Sequence, residues 1–346
     1  MTDGGQQQSH LIEASDHTTE VGLLGLAIVV IGRNEGERLR SCLRSIQGRS
    51  ECIVYVDSGS DDGSVELARA LGAEVCKLDM SRPFTAARAR NVGFRRALEL
   101  RPGLRYVHFV DGDCVVAEGW LAAALAFLTT HECVSTVFGQ QRERAPEASI
   151  YNRLCDIEWR VAPGPVKACG GNAMFRTAAF TETGGYREDL IAGEEPELCV
   201  RLRALGWTIE CLAVEMSLHD AAMTRFSQWW LRTMRGGYAY AQGVQLHGRR
   251  PERHCVRQLG SAFMWAIGVP TAVGLTWPFA GSWAAAGLCL YPLQILRIAK
   301  AAPGTLPVRL ARGAFLVLGK FPETQGAMRF WRNTWQRRAG TLIEYK

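Results

Sequence analysis

The sequence predicts an α/β fold in which a parallel sheet is covered by helices on both faces. Four short apolar runs rich in Val and Ile indicate strands: LAIVVIG, CIVYVDS, EVCKLD and YVHFVDGD. Segments with helical spacing alternate with them: ERLRSCLRSI, SVELARALG, TAARARNVGFRRALEL and GWLAAALAFLTT. Strands that are apolar along most of their length and alternate with helices are typical of parallel sheets buried on both faces. We therefore expect such a sheet from Leu26 to about Thr130.

The composition and charge of the chain favour a globular protein that contacts an anionic partner. Of the 346 residues, 47% are hydrophobic and 21% are charged, which suffices for a sizeable core and excludes wholesale disorder. The net charge is +6, and Arg dominates after residue 220. This mild positive charge suits an anionic ligand or membrane surface better than a dedicated nucleic-acid binder. We expect no nucleic-acid partner.

The cysteines and the N-terminal segment indicate a reducing compartment. Eleven cysteines are scattered singly, without a CxxC pair or the Cys/His spacing of a structural zinc site. The first 20 residues of the segment 1–25 are polar and lack the basic and apolar regions of a signal peptide. We expect this segment to form a flexible tail in a protein that stays on the cytoplasmic side.

Polar clusters follow three of the predicted strands at the point where each strand ends. They are Arg33-Asn34-Glu35 after the first strand, DSGSDD at 57–62 after the second, and Asp111-Gly112-Asp113 after the fourth. Ligands of parallel α/β sheets bind beyond the carboxyl ends of the strands. These clusters are therefore expected to converge on one crevice, although they are far apart in sequence.

The Asp-Gly-Asp cluster has the chemistry of a divalent cation site. Two carboxylates this close repel each other unless a cation lies between them or one is protonated. Mg2+ and Mn2+ are commonly held by one or two carboxylates together with phosphate oxygens of a substrate. The alternative is an Asx-turn that closes the strand, because this short motif alone is not specific.

The segment from 131 to 220 predicts a mixture of strands and helices. The runs STVFGQQRER and TIECLAVEMSLHD indicate strands, SIYNRLCDIEWR and EEPELCVRLRALG indicate helices, and ACGGNAMFR indicates a loop entering a strand. We therefore assign one domain to residues 26–222. A helical connector rich in Trp, Arg and Tyr follows at 223–257; it either meets a membrane, covers an acceptor or packs as a core helix.

The stretch after Arg257 predicts a membrane hairpin. No charged residue occurs between Arg257 and Arg297, and residues 258–297 could supply two apolar spans joined by a turn at 277–282. Basic residues on both flanks suit a hairpin with both ends in the cytoplasm. The alternative is a pair of buried core helices. Residues 298–346 mix apolar, aromatic and basic side chains, as expected for helices lying at a membrane interface.

The ordered set of motifs resembles the family 2 glycosyltransferases, which have the GT-A fold. The set begins with Asn34-Glu35 and DSGSDDGS at 57–64, continues with ARNVG at 89–93 and Asp111-Gly-Asp113, and ends with GGN at 170–172 and EEPEL at 194–198. The resemblance covers roughly residues 26–220. It implies a sugar transferase that uses a nucleotide-diphosphate sugar, most often UDP-linked, together with Mg2+ or Mn2+.

The resemblance also implies roles for individual residues. Positions matching the family's nucleotide-binding residues are Asn34, Glu35, Asp57, Arg90 and Asp111. Those matching its metal site are Asp113, Asp111 and His219. Those matching the loop and the acidic pair around the donor sugar and acceptor are Gly170, Gly171, Asn172 and Glu194. Glu195 occupies the position of the catalytic base, where the family more often has Asp.

Two of these assignments have ordinary structural alternatives. The carboxylates that begin the helix at Glu194-Glu195 are favoured by the helix dipole whether or not one of them is a base. His219 lies at a strand end, where a histidine is either a metal ligand or a hydrogen-bonded surface residue.

The sequence therefore predicts an inverting, metal-dependent glycosyltransferase at the cytoplasmic face of the inner membrane. It would move one sugar to a hydroxyl of a lipid-linked or saccharide acceptor in cell-surface glycan or glycolipid synthesis. Processive synthases of the family carry Gln-x-x-Arg-Trp, and the nearest stretch here, QWWLRT at 228–233, lacks the Arg-Trp end. The alternatives are a nucleotidyltransferase or a catalytically silent nucleotide-sugar-binding scaffold. The loop after the first strand has one glycine and no lysine, which disfavours a nucleotidyltransferase.

Overall fold

A computed structural model describes residues 25–337 together with Gly340 and Ile343. The expected N-terminal tail lies outside these residues, apart from Gly25. Within them, nine strands form one sheet: β1 Leu26–Gly32, β2 Cys52–Asp57, β3 Glu74–Lys77, β4 Tyr106–Asp111, β5 Cys114–Val116, β6 Val134–Glu143, β7 Gly164–Val166, β8 Ala173–Arg176 and β9 Thr208–His219.

The helices of the sheet-containing part are α1 Glu37–Ile46, α2 Ser64–Ala70, α3 Ala86–Leu100, α4 Trp120–Thr130, α5 Ile150–Glu158, α6 Thr177–Glu182 and α7 Glu194–Ala204. The later helices are α8 Phe226–His247, α9 Val256–Phe263, α10 Val269–Ala280, α11 Leu290–Ala301, α12 Leu306–Leu318 and α13 Lys320–Trp335. A π-helical turn, Met264–Gly268, joins α9 to α10, and a 3-10 segment, Gly281–Cys289, joins α10 to α11.

The predicted α/β fold is confirmed, and its first half is the expected parallel sheet. Strands β3, β2, β1 and β4 lie side by side in that order and are all parallel. The second half is mixed, because β8 pairs antiparallel with both β4 and β6. Every residue from Leu26 to Ile31 is buried, which explains why β1 is apolar along its whole length.

The pairing register of β1 brings the strand-end clusters together. Gly32 is paired with Asp57 of β2, and Ile31 is paired with Asp111 of β4. The chain therefore leaves all three strands at the same level of the sheet. The polar residues that follow β1 lie between those that follow its two neighbours, as expected for the carboxyl edge of a parallel sheet.

The resumption of apolar sequence after Asp113 is a separate strand. After the turn at Gly112, β5 pairs antiparallel with the end of β9, with Cys114 opposite His219. Three residues are too few to give a periodic pattern, so sequence analysis did not identify this strand. Its pairing places Asp113 next to a residue from more than a hundred positions later in the chain.

The C-terminal helices fall into two groups. The first group packs on the sheet domain through α8 and α13, whose backbones approach closely where Gly237 faces Glu323 and Gly326 faces Met234. A Cβ at either glycine would lie 1.9 Å from a carbonyl oxygen of the other helix. Within this group α13 buries Phe330 and Ala327 against the protein, and the interfacial position expected for residues 298–346 stays a prediction.

The second group is a hairpin of apolar helices, Val256–Ala301. The chain reverses near Gly281, and the Tyr291 hydroxyl on the returning arm donates a hydrogen bond of 2.6 Å to the Trp265 carbonyl on the outgoing arm. By length and composition this is the one segment of the described residues that could cross a membrane, and only 11% of its most apolar window is buried. The core helix of a soluble protein can be equally long and apolar, but it would be mostly buried, unlike this hairpin.

Candidate active site

A cavity of about 570 Å³ opens at the carboxyl ends of β1, β2 and β4. The start of α7 and the end of β9 close its other sides. Eight of the residues expected at the site line it: Asn34, Glu35, Arg90, Asp111, Asp113, Glu194, Glu195 and His219. Asp113 and Glu195, which the proposed chemistry requires to be close, therefore face a shared cavity.

Arg90 is the centre of the charge network in this cavity. Its side chain is buried and donates hydrogen bonds to Asp111 at 2.9 Å, to Glu194 at 2.9 Å and to Glu195 at 3.1 Å. Burial opposes the charge on the guanidinium, but the carboxylates, Asp111 first among them, raise its pKa well above the ordinary value. A permanent cation thus joins the end of β4 to the start of α7.

Glu195 has the electrostatics of a general base. Burial and the neighbouring Glu194 raise its pKa from 4.5 to about 7, although the cation of Arg90 acts in the opposite direction. A carboxylate with a pKa near neutrality can accept a proton efficiently at cellular pH. The sequence alone could not distinguish this state from that of a surface glutamate at a helix start.

Gly171 allows three of these side chains to meet. A Cβ at position 171 would lie 2.3 Å from Arg90 Nη2, 3.1 Å from Glu195 Oε1 and 3.2 Å from Asp111 Oδ2. By contrast, a Cβ at Gly170 would contact nothing within 4 Å. Of the two glycines identified from the sequence, only Gly171 is in a position that excludes a side chain.

Asn172 supports the site from behind. Its side-chain oxygen accepts a 2.8 Å hydrogen bond from the Asp111 backbone, and its amide group donates to Gln141 at 2.9 Å and to the Cys114 thiol at 3.1 Å. The residue is 2% exposed, so it orients the end of β4 rather than facing the cavity.

Among the described residues, Asp113, Cys114 and His219 bring potential metal-ligand atoms close together. Their donor atoms all lie within 4.8 Å of one another, and Asp113 Oδ1 is 3.4 Å from His219 Nε2. The ring of Trp159 packs edge-on against His219, with ring centroids 4.5 Å apart. Carboxylate oxygen and imidazole nitrogen suit Mn2+ or Mg2+, whereas a thiol prefers softer metals. Asp113 and His219 therefore fit the expected ion, and Cys114 does not contribute a suitable ligand.

The end of β2 is organised by its own carboxylate. Asp57 is 3% exposed and accepts hydrogen bonds of 3.0 Å from the backbones of Gly59 and Ser60 and one of 3.2 Å from the Tyr55 hydroxyl. The cavity is lined by the next residue, Ser58, rather than by Asp57. A role of Asp57 in contacting a base stays a prediction.

Asn34 and Glu35 shape the opposite edge of the cavity. Asn34 has a φ of 55° and accepts a 2.9 Å hydrogen bond from the Asp61 backbone, which joins the loops after β1 and β2. Glu35 forms an ion pair of 2.8 Å with Arg38.

The sequence of residues 27–183 matches the family described as glycosyl transferase family 2. The chain carries a family 2 glycosyltransferase domain. Two curated relatives are similar to it, each called pre-mycofactocin glycosyltransferase, from the CDC 1551 / Oshkosh and H37Rv strains of Mycobacterium tuberculosis. Each is 28% identical over 225 residues, which are 60% of this chain and 45% of the relative. The chain thus spans less than half the length of these relatives.

A solved structure with the GT-A fold expected for a family 2 glycosyltransferase is similar to this chain. The mannosyltransferase PcManGT from Pyrobaculum calidifontis, determined with GDP-Man and Mn2+, is similar with a TM-score of 0.55 and 18% sequence identity. The similarity covers 91% of this chain and 88% of that one. At this identity the comparison shows the fold.

Sequence analysis placed Arg33 in a cluster expected at the crevice, but it did not identify Phe84, Arg38 or Arg235 as residues that line the cavity of this glycosyltransferase domain. Arg33 lies over the ring of Phe84 at 4.9 Å, and both face the cavity, as do Arg38 and Arg235. Arg235 lies on α8, within the Trp- and Arg-rich segment that sequence analysis assigned to a membrane or acceptor contact. Its place in the cavity depends on the packing of α8, which no local pattern shows.

Proposed function

We propose that the chain is an inverting, non-processive glycosyltransferase that moves one sugar from a nucleotide-diphosphate sugar to an acceptor hydroxyl. The observation that carries this proposal is the shared cavity, in which a raised-pKa carboxyl on α7 faces the acidic turn after β4. A UDP-linked donor is proposed from the sequence resemblance.

The residues of the chain account for a single displacement. Glu195 accepts the proton of the acceptor hydroxyl while that oxygen attacks the anomeric carbon of the donor. The new bond between carbon and acceptor oxygen forms as the bond between the same carbon and the diphosphate oxygen breaks. The electron pair leaves with the nucleoside diphosphate, and one in-line step inverts the anomeric configuration.

Cationic side chains line the cavity and could stabilise charge that develops on the diphosphate. Arg235 and Arg33 both line it, and fixed cations that are already oriented stabilise a leaving group without reorganisation. Asp113 and His219 would hold Mg2+ or Mn2+, with Asp111 as a further oxygen donor. Such an ion would neutralise charge on the departing diphosphate. Arg90 orients Glu195 for the acceptor.

The exposed hairpin supports a membrane-bound acceptor. Phe279 is 91% exposed and Trp283 is 83% exposed near its turn, which is a poor arrangement in water. Arg257, Arg297 and Lys300 flank the hairpin at its open end. We propose that the hairpin inserts into the inner membrane from the cytoplasmic face, so that the chain acts in cell-surface glycan or glycolipid synthesis on a lipid-linked or saccharide acceptor.

The reaction class can be tested by a donor screen. UDP-, GDP- and dTDP-sugars are incubated with Mg2+ or Mn2+, and nucleoside diphosphate release is measured. We expect release from one nucleotide series, and Asp113→Ala should remove the metal-dependent part while leaving the thermal unfolding transition in place. Pyrophosphate release from a nucleoside triphosphate and a sugar phosphate would instead favour the nucleotidyltransferase. Binding of the donor without turnover would favour the silent scaffold.

A further inference from the structure

A second cavity, of about 690 Å³, adjoins the candidate active-site cavity at the carboxyl ends of β1, β2 and β4 (the catalytic cavity). It lies between the segment before α3, the loop before α7, and the helices α8 and α13. Ile191, four residues before Glu195, lines both cavities. A molecule that presents a hydroxyl to Glu195 could therefore extend past Ile191 into the second cavity.

Residues 82–86 lie between the two cavities, and consecutive residues from Pro83 to Ala86 line them alternately. Phe84 and Ala86 line the catalytic cavity, whereas Arg82, Pro83 and Thr85 line the second one. Side chains of an extended chain point alternately to opposite sides. The same short segment thus lines both cavities and forms part of the boundary between them.

The charged side chains around the second cavity already have partners within the protein. Arg187 forms a two-point interaction with Asp189 at 3.1 and 2.9 Å, and Arg82 pairs with Glu188 at 3.4 Å. Arg88 donates to the backbone carbonyls of Arg82 and Pro83 at 2.9 and 3.1 Å. A phosphate or carboxylate ligand would have to displace these ion-pair and carbonyl partners before it could bind the arginines, so we infer that the cavity favours an uncharged ligand.

The remaining polar groups suit hydroxyl groups. Gln242 Oε1 is buried without a hydrogen-bond partner among the described residues, and Gln245 and Thr334 also face the cavity. The aromatic residues Tyr238 and Phe330, which are 3% and 5% exposed, also line the cavity. Amides and hydroxyls that bond to hydroxyl groups, beside aromatic carbon that packs against C–H groups, are the combination that recognises an uncharged sugar.

We propose that this second cavity binds a neutral saccharide unit of the acceptor. The inference rests on the proposed function, because it assumes that the acceptor hydroxyl approaches Glu195. It adds that the acceptor carries a sugar next to the reacting unit and that Gln242 contacts that sugar.

The test uses saturation-transfer NMR on the full chain. The probes are methyl α-D-glucopyranoside, methyl α-D-mannopyranoside, maltose and glucose 6-phosphate, with UDP and GDP measured in the same samples. The variants are Gln242→Leu, Thr334→Leu and the control Gln47→Leu, which changes an exposed glutamine at the end of α1. We expect at least one neutral sugar to bind the wild-type and control proteins, and its affinity to fall about fivefold in Gln242→Leu.

The outcomes separate this inference from the proposed function. Absence of signal from every neutral sugar, preferential binding of glucose 6-phosphate, or equal binding by all variants would overturn the saccharide site. Absence of nucleotide binding with sugar binding retained would instead count against the glycosyltransferase site alone. Thr334→Leu provides an independent measure if Gln242→Leu does not fold.

Discussion

The catalytic cavity and the C-terminal hairpin differ in whether their side chains find partners within the protein. In the cavity, one buried arginine forms ion pairs with three carboxylates within 3.1 Å. In the hairpin, no charged side chain occurs between Arg257 and Arg297, and large apolar side chains such as Phe279 are almost fully exposed.

The contrast teaches which parts of the molecule are complete without a partner. Buried charges are tolerated only where they are paired and hydrogen-bonded, and the cavity meets that condition with its own residues. The hairpin does not bury its apolar surface within the described residues, which is why we propose that a membrane covers it. Substitutions in the cavity should therefore alter the rate of transfer, and substitutions in the hairpin should alter membrane attachment.

The largest expected effect is that of removing the proposed base, Glu195. Glu195→Gln keeps the shape of the side chain but cannot accept a proton, so transfer should fall by roughly 10²- to 10⁴-fold. Steady-state kinetics measures the loss, and donor affinity should stay within a few-fold of that of the wild-type protein. Glu66→Gln, an exposed change on α2, serves as the control. Full activity of Glu195→Gln would remove this residue from the mechanism.

The adjacent glycines test how tightly the cavity network is packed. Gly171→Ala should displace Arg90, because that side chain is held by three carboxylates and cannot move without losing ion pairs. We expect at least a tenfold loss of turnover and about 1–3 kcal/mol of destabilisation. Gly170→Ala, whose added methyl group has free space, should change neither. Equal behaviour of the two variants in kinetics and thermal unfolding would refute this packing argument.

The hairpin is tested by making its exposed side chains polar. A triple variant, Leu275→Ser, Phe279→Ser and Trp283→Ser, loses apolar side chains that each contribute about 1.5–3 kcal/mol when buried in lipid. The variant should shift from the membrane fraction to the soluble fraction in flotation assays. The control replaces Met80, Leu100 and Leu205, which are exposed on the sheet domain, by serine. Membrane attachment that survives the triple change would contradict insertion of the hairpin.

The smallest expected effect is the pH dependence conferred by Glu195. Because its pKa is about 7, kcat/KM should rise as the pH increases through 7, where the base loses its proton. The raised pKa also means that Glu195 stabilises the fold fully below about pH 4.5 and loses this contribution as the pH rises through 7. Thermal unfolding of the wild-type protein relative to Glu195→Gln, measured with a chelator, should show this decline. A flat difference would indicate an unperturbed carboxyl.

The parts of the fold that were predictable from sequence depend on local patterns. Strands β1, β2 and β4 are apolar runs, and parallel pairing brings their carboxyl ends together, so the convergence of Asn34, Asp111 and their neighbours could be anticipated. The three-residue strand β5 could not, because it gives no periodicity and is defined by pairing with β9.

Long-range packing determines most of the site features that could not be predicted from the sequence. The position of His219 beside Asp113 follows from the β5–β9 pairing, and the positions of Arg235 and Gln242 follow from how α8 packs on the sheet domain and α13. The family resemblance of the motif at 194–198 predicted the role of Glu195. Its raised pKa, however, depends on burial beside Glu194, which only the folded structure shows.

The most direct test of the account is the anomeric configuration of the first product. An α-linked nucleotide-diphosphate sugar is incubated with the protein in the absence of acceptor, and time-resolved proton NMR records the sugar released to water before it mutarotates. A single displacement at the shared cavity predicts the β anomer from the wild-type protein and its loss in Glu195→Gln. Initial release of the α anomer would contradict the proposed chemistry.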